Sequence, residues 1–134
     1  MKGMNTVNYD FTNQRALITG ATSGLGARFA EVLAAHGAEV VVTGRRVDRL
    51  KALCDKIGPK ARAIALDVTN AQSIAACLAE AGPIDVLVNN AGLNVQARAV
   101  DVKEADYDLI MNTNVKGAFM MAQAVGKQMI ARKM

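Results

Sequence analysis

A chain of 134 residues is long enough to bury one shared core, and it reads as a single domain spanning 1–134. Its 51% hydrophobic and 21% charged residues and its formal net charge of +4 suit a soluble globular protein, and the absence of a Lys/Arg run, with 4% aromatics, argues against a nucleic-acid partner. Cys54 and Cys77 have no C-x-x-C spacing and His36 is the lone histidine, so neither a metal site nor a disulfide framework is expected.

Taken in chain order, the start MKGMNTVNYDFTNQ is too polar for a signal peptide. No later run approaches membrane-spanning length, so no membrane partner and a cytoplasmic location are expected. ALIT (16–19) is the first strand, and it breaks into a glycine loop that opens a helix. His36 and Gly37 close that helix, the histidine against the last carbonyls and the glycine as C-cap. EVVVT (39–43) is the second strand. The helix after it carries Leu50, Leu53, Cys54 and Ile57 at i, i+3, i+4, i+7 and stops at Gly58 and Pro59. ARAIAL (61–66) is the third strand, followed by a helix with Ile74, Cys77, Leu78 and Ala81 on one face and Pro83 beyond its end. IDVLVN (84–89) is the fourth strand, and from Asp101 the pattern is helical to the end. Both cysteines fall on apolar helix faces and are expected to be buried. Each strand is a nearly continuous apolar run, the pattern of a parallel strand covered on both faces. Four β-α units with right-handed crossovers predict an α/β, doubly wound parallel sheet.

The loop reads G-x-x-x-G-x-G at Gly20, Gly24 and Gly26. A strand feeding a helix through such a turn gathers free backbone N–H groups and the helix's positive end, which favours a phosphate. Gly20 permits the tight turn, Gly24 lets the backbone approach a pyrophosphate, and Gly26 lets the helix pack on the strand. No Gly-Lys-Ser/Thr follows, which excludes a P-loop. An ordinary βα turn is the plainer alternative. The second strand ends TGRR, so Gly44 stands where a ribose-binding acid belongs in dinucleotide sites, with Arg45 and Arg46 after it. A guanidinium can pair with a 2′-phosphate through charge-assisted hydrogen bonds of roughly 1.5–3 kcal/mol each, where a carboxylate would repel it. NADP(H) is therefore preferred over NAD(H), and a methyltransferase is disfavoured. The plainer alternative for the Arg pair is a solvated helix start.

TGATSGLG (19–26), DVT (67–69), NNAG (89–92) and NTNVKGAF (112–119) occur in the order and spacing of the short-chain dehydrogenase/reductases. The chain resembles that family from DFTNQRALITG to its last helix. The resemblance implies a Rossmann-type sheet in order 3-2-1-4, truncated relative to the full seven-stranded fold. It also implies a coenzyme lying along Gly20, Thr22, Ser23, Gly24, Leu25 and Gly26, with Asp67 and the Val68 backbone at the adenine and Asn90, Ala91 and Gly92 along the cofactor. Asn114 matches the family's active-site Asn, whose backbone holds a water in a proton relay to a catalytic lysine. Members that prefer NADP often carry a basic residue inside the glycine loop, where this chain has Thr22 and Ser23, so the preference rests on Arg45, aided by Arg46.

A larger departure concerns catalysis. The family's Ser and Tyr-x-x-x-Lys follow the helix that here ends at IARKM; Tyr9 and Tyr107 have Asn13 and Met111 four residues on, not Lys. Without the Tyr acid/base and the Lys that lowers its pKa, hydride transfer lacks a proton partner. The expectation is an N-terminal half that binds a nicotinamide dinucleotide, whose full-length parent interconverts a carbonyl and an alcohol. Two alternatives stay open: a non-catalytic nucleotide-binding or self-assembly module, and a partner chain that supplies the second half. Strand 84–89 would be an unguarded edge, and the Met-rich segment 101–133 is apolar around much of its circumference, so a homo-oligomer through either or both is expected.

Overall fold

The computed structural model describes residues 7–22 and 24–134. Strands β1 (Arg15–Ile18), β2 (Glu39–Gly44), β3 (Ala61–Ala65) and β4 (Val86–Val88) form one sheet in order β3-β2-β1-β4. All pairings are parallel, with Leu17 opposite Val41 on one side and Leu87 on the other. The continuous apolar runs have a direct cause: alternate residues enter two different cores. Leu17, Val41 and Ile64 pack with Ile74, Cys77, Met121 and Val125, from α3 (Ala71–Ala81) and α5 (Ala118–Ala131). Ala16, Ile18, Val40 and Val42 pack with Ala30, Leu50 and Leu53, from α1 (Gly24–Ala35) and α2 (Val47–Ile57). Helices therefore cover both faces, as a right-handed doubly wound sheet requires.

Helix ends follow the sequence. Asn70 Oδ1 accepts from Ser73 N at 2.9 Å and caps α3. Gly37, with φ +99°, ends α1, and His36 Nδ1 bonds the Val32 carbonyl at 2.8 Å. The base of the sheet is tied by side chains. Arg15 Nη1 and Arg62 Nη2 both donate to the Ala81 carbonyl at 2.9 Å, supplying the positive charge that the end of α3 lacks. Asp85 accepts from Arg15 N at 2.8 Å and pairs with Arg132.

Three expectations shift. β4 is three residues rather than the six of 84–89; at its start Ile84 N–H donates to Gln128 Oε1 at 2.7 Å, outside the ladder, while Asp85 N–H still reaches the Arg15 carbonyl at 2.9 Å. β4 is nonetheless an edge. The helical stretch from Asp101 is not one uniform α-helix: a 3₁₀ turn at Ala99–Asp101 precedes α4 (Glu104–Met111), a π-helical turn at Asn112–Gly117, and then α5. A π turn inserts a residue and shifts the helical phase. Beyond it Met121 and Val125 face the core, and buried Gly117 seats against Val68, whose Cγ2 would lie 2.7 Å from a Cβ there. Cys77 is buried, but Cys54 is only half-buried, at the rim where α2 meets solvent.

Candidate functional site

One cleft of about 610 Å³ opens across the C-terminal ends of all four strands, between the glycine loop and the segment after β4. This is the switch point of a doubly wound sheet, where the crossovers leave β1 to opposite sides. Gly20, Thr22 and Leu25 line it from the glycine loop. Gly44, Arg45 and Arg46 line it from the end of β2, Leu66 to Thr69 from the end of β3, and Asn90 to Leu93 from the end of β4. Leu109 and Thr113 close the far side.

Buried threonines hold the mouth. Thr43 Oγ1 donates to the Ile18 carbonyl at 2.8 Å, joining β2 to β1. Thr19 Oγ1 accepts from Asn90 N at 3.0 Å and Ala91 N at 2.9 Å, joining β1 to β4. Asn90 Nδ2 donates to the Thr19 and Gly20 carbonyls, each at 3.2 Å. The side-chain amide of Asn90 thus braces the turn from across the cleft, while its backbone stays on the wall.

The glycines have separate reasons. Gly26 is pinned by packing: a Cβ there would lie 2.3 Å from the Gly20 carbonyl oxygen and 2.6 Å from Asn90 Nδ2. Gly24 is needed for its backbone, with φ +60° and nothing within 4 Å of a Cβ. It exposes main chain at the start of α1, whose first turn holds no acidic residue to offset the helix's positive end. A Cβ at Gly44 would lie 2.8 Å from Thr22 Cγ2, so a side chain at the site of the missing acid requires the Thr22 side chain to shift. Ser23 lies outside the described residues.

Charge is divided along the cleft. Arg45 and Arg46 are exposed at the rim, and Arg46 Nη2 donates to Thr22 Oγ1 at 3.1 Å. Thr69 donates to Asp67 Oδ1 from Oγ1 at 2.6 Å and from N at 2.9 Å, and these bonds hold that carboxyl below the usual carboxylate range. The nearby Arg45 charge acts in the same direction. Asp67 is therefore an ionised acceptor at neutral pH.

Asn114 sits on the π turn and does not line the cleft; its neighbour Thr113 does. Its side-chain amide pairs with the Leu93 backbone at both ends, accepting from Leu93 N and donating to Leu93 O, both at 2.8 Å. Asn89 Nδ2 likewise donates to the Ala118 carbonyl at 2.6 Å, so the π turn and the loop after β4 are locked together. Leu66, Thr69, Leu93, Leu109 and Thr113 line the cleft without having been singled out as site residues; Thr69, inside DVT, Leu93, directly after NNAG, and Thr113, inside NTNVKGAF, carried a local signal, and Leu66 and Leu109 did not. Neither cysteine belongs to the site, and burial pushes the Cys77 thiol up to about 11. Among the described residues there is no metal-capable cluster and no helix long and apolar enough to cross a membrane. The arrangement suits an elongated anion: amides and a helix start at one point, two guanidiniums beyond, and an acceptor at the end of β3.

Residues 14–134 match the family described as short chain dehydrogenase. The chain is 44% identical over 120 residues to sorbitol dehydrogenase of Cereibacter sphaeroides, covering 87% of this chain and 47% of that protein. It is similar to the closed form of serine dehydrogenase complexed with NADP+, with TM-score 0.84 and 37% identity over 89% of this chain and 50% of the other. It is also similar to 3-ketoacyl-(acyl-carrier-protein) reductase from Brucella melitensis complexed with NADH, with TM-score 0.83 and 33% identity over 87% and 50%. The chain spans about half the length of the curated relatives it matches.

Proposed function

The chain belongs to the short chain dehydrogenase family of oxidoreductases, and from that membership we propose that its 134 residues act as one nicotinamide-dinucleotide-binding domain that prefers NADP(H) to NAD(H). The observation that supports this reading most is the single cleft that the glycine loop, Arg45, Arg46, Asp67, Val68 and Asn90 to Gly92 share. Its residues fit the group. Gly24 leaves main chain open where a pyrophosphate would lie, Asp67 offers an acceptor for an adenine amino group, and Arg45 offers a guanidinium for a 2′-phosphate. Gly44, packed against the Thr22 methyl, leaves out the carboxylate that would favour a free ribose hydroxyl.

The bound coenzyme would supply a hydride between a carbonyl and an alcohol. This chain's own part is to grip the dinucleotide and fix its orientation. Asn90 and Thr19 keep the mouth rigid, and Asn114 fixes Leu93 and so the loop that would face the substrate. No Tyr in the sequence has a Lys four residues on, so no acid/base pair is at hand to move the substrate's proton. We place the chain alone as a coenzyme binder without turnover. Titrating the native chain with NADPH by fluorescence is expected to give saturable binding, and incubation with NADPH and a panel of carbonyl compounds is expected to consume none. Sustained NADPH consumption by the pure chain would refute the incompleteness.

A second property has its own support. Met111, Val115, Phe119 and Ile130 are exposed on α4, the π turn and α5, and β4 is a sheet edge. Large apolar groups left to solvent along these helices favour a homo-oligomer through the helices, the edge, or both.

A further inference from the structure

Thr22 touches both sides of the coenzyme question at once. Its Cγ2 stands 2.8 Å from where a Gly44 Cβ would be, and its Oγ1 accepts from Arg46 Nη2 at 3.1 Å. Methyl and hydroxyl hang from one Cβ whose rotation is stiff in a β-branched residue. The methyl cannot swing away from Gly44 without carrying the hydroxyl off Arg46, so the two contacts are coupled.

We propose that Thr22 is a specificity-determining residue for the adenosine end of the coenzyme: its methyl packs where a side chain at position 44 would start, and its hydroxyl positions the Arg46 guanidinium over the glycine loop beside Arg45. Resting on the NADP(H) reading above, this goes beyond it. The glycine loop selects the coenzyme without a basic residue of its own. Converting position 44 to an acid alone carries a cost, because the new Cβ meets the Thr22 methyl and, in displacing it, also releases Arg46. Thr22 is a positioning residue in this scheme; the charge that meets the phosphate belongs to the arginines.

The test uses two small probes that differ only in the 2′-phosphate, 5′-AMP and 2′-phosphoadenosine 5′-phosphate, titrated into the full chain by calorimetry. The native chain is expected to prefer the 2′-phosphorylated probe. Thr22→Val keeps the methyl and loses the hydroxyl, and is expected to lower that preference by about 3- to 10-fold, the scale of one typical net hydrogen bond, because the lost bond orders the guanidinium and does not itself touch the phosphate. Thr22→Ser keeps the hydroxyl and is expected to retain it. Gly44→Asp alone is expected to lose the 2′-phosphorylated probe, gain nothing for 5′-AMP and melt at lower temperature. The same change on a Thr22→Ser background is expected to recover the melting temperature and to bind 5′-AMP more tightly than the native chain. A native preference ratio in Thr22→Val, or a Gly44→Asp variant that switches preference with unchanged melting temperature, would overturn the proposal. Equal binding of the two probes by the native chain would overturn the NADP(H) reading instead. Additive melting shifts for Thr22→Ser and Gly44→Asp would then overturn the steric coupling, and a rescue would sustain it.

Discussion

Asn90 Nδ2 donates to the Gly20 carbonyl oxygen at 3.2 Å, so a residue just past β4 holds the turn that follows β1. The same amide reaches the Thr19 carbonyl, and both acceptors are part-buried. Asn90→Ala is expected to destabilise the chain by about 1–2 kcal/mol, because two carbonyls lose their donor. Asn90→Asp is expected to be worse than Ala, since it sets a carboxylate against those carbonyls and beside the anion's path. Urea unfolding and NADPH titration of both variants check this; equal effects of Ala and Asp would argue against the brace.

The glycines at 24 and 26 should separate cleanly. Gly26→Ala puts a methyl 2.3 Å from the Gly20 carbonyl oxygen, and backbone has little room to yield. We expect a loss of more than about 3 kcal/mol, or no folded protein. Gly24→Ala meets no atom within 4 Å but must hold φ +60°, which costs about 1 kcal/mol. Its larger effect is expected on NADPH affinity. Thermal melts with and without NADPH distinguish the two.

Asp85 sets an acid limb. The Arg15 backbone N–H, helped by the Arg132 guanidinium, holds its carboxyl below the usual carboxylate value, against an opposing effect of burial. A carboxyl depressed on folding contributes stability that is present above its unfolded pKa of about 3.9 and is lost as pH falls through the folded value. The stability gap between native chain and Asp85→Asn is therefore expected to be widest near neutral pH and to shrink below about pH 4. A gap constant from pH 7 to pH 3 would contradict it.

Self-association should respond to the exposed helix face. Phe119 is 62% and Ile130 76% exposed. Light scattering on a sizing column is expected to give a mass above that of one chain, and Phe119→Glu to move it toward the monomer. A well-behaved native monomer would remove the oligomer from the reading.

The fold was legible where burial leaves a local trace. Leu17 and Val41 enter one core while Ile18 and Val42 enter the other, so each strand reads as an unbroken apolar run. The glycine loop, DVT and NNAG marked three corners of the cleft in the same way. What stayed hidden depends on partners distant in sequence. The Ile84 N–H, just ahead of β4, goes to Gln128, 44 residues on, and not to the ladder. The π turn carries no periodicity of its own and shows itself only in the phase of Met121 and in the fit of Gly117 on Val68. Asn114 stood out through its motif, but its double bond to Leu93 was not foreseeable from it. Gly44 announced a missing acid; that the Thr22 methyl packs where its side chain would start is visible only once the two strand ends meet.

The most direct test of the coenzyme site is the ratio of NADPH to NADH dissociation constants, measured by fluorescence on the native chain and on Arg45→Ala. We expect NADPH to bind at least about 10-fold more tightly to the native chain, and Arg45→Ala to narrow that ratio by weakening NADPH alone, as loss of one charge-assisted pair requires, leaving the part that Arg46 carries. Equal constants in the native chain, or an Arg45→Ala variant that keeps the full preference, would contradict it.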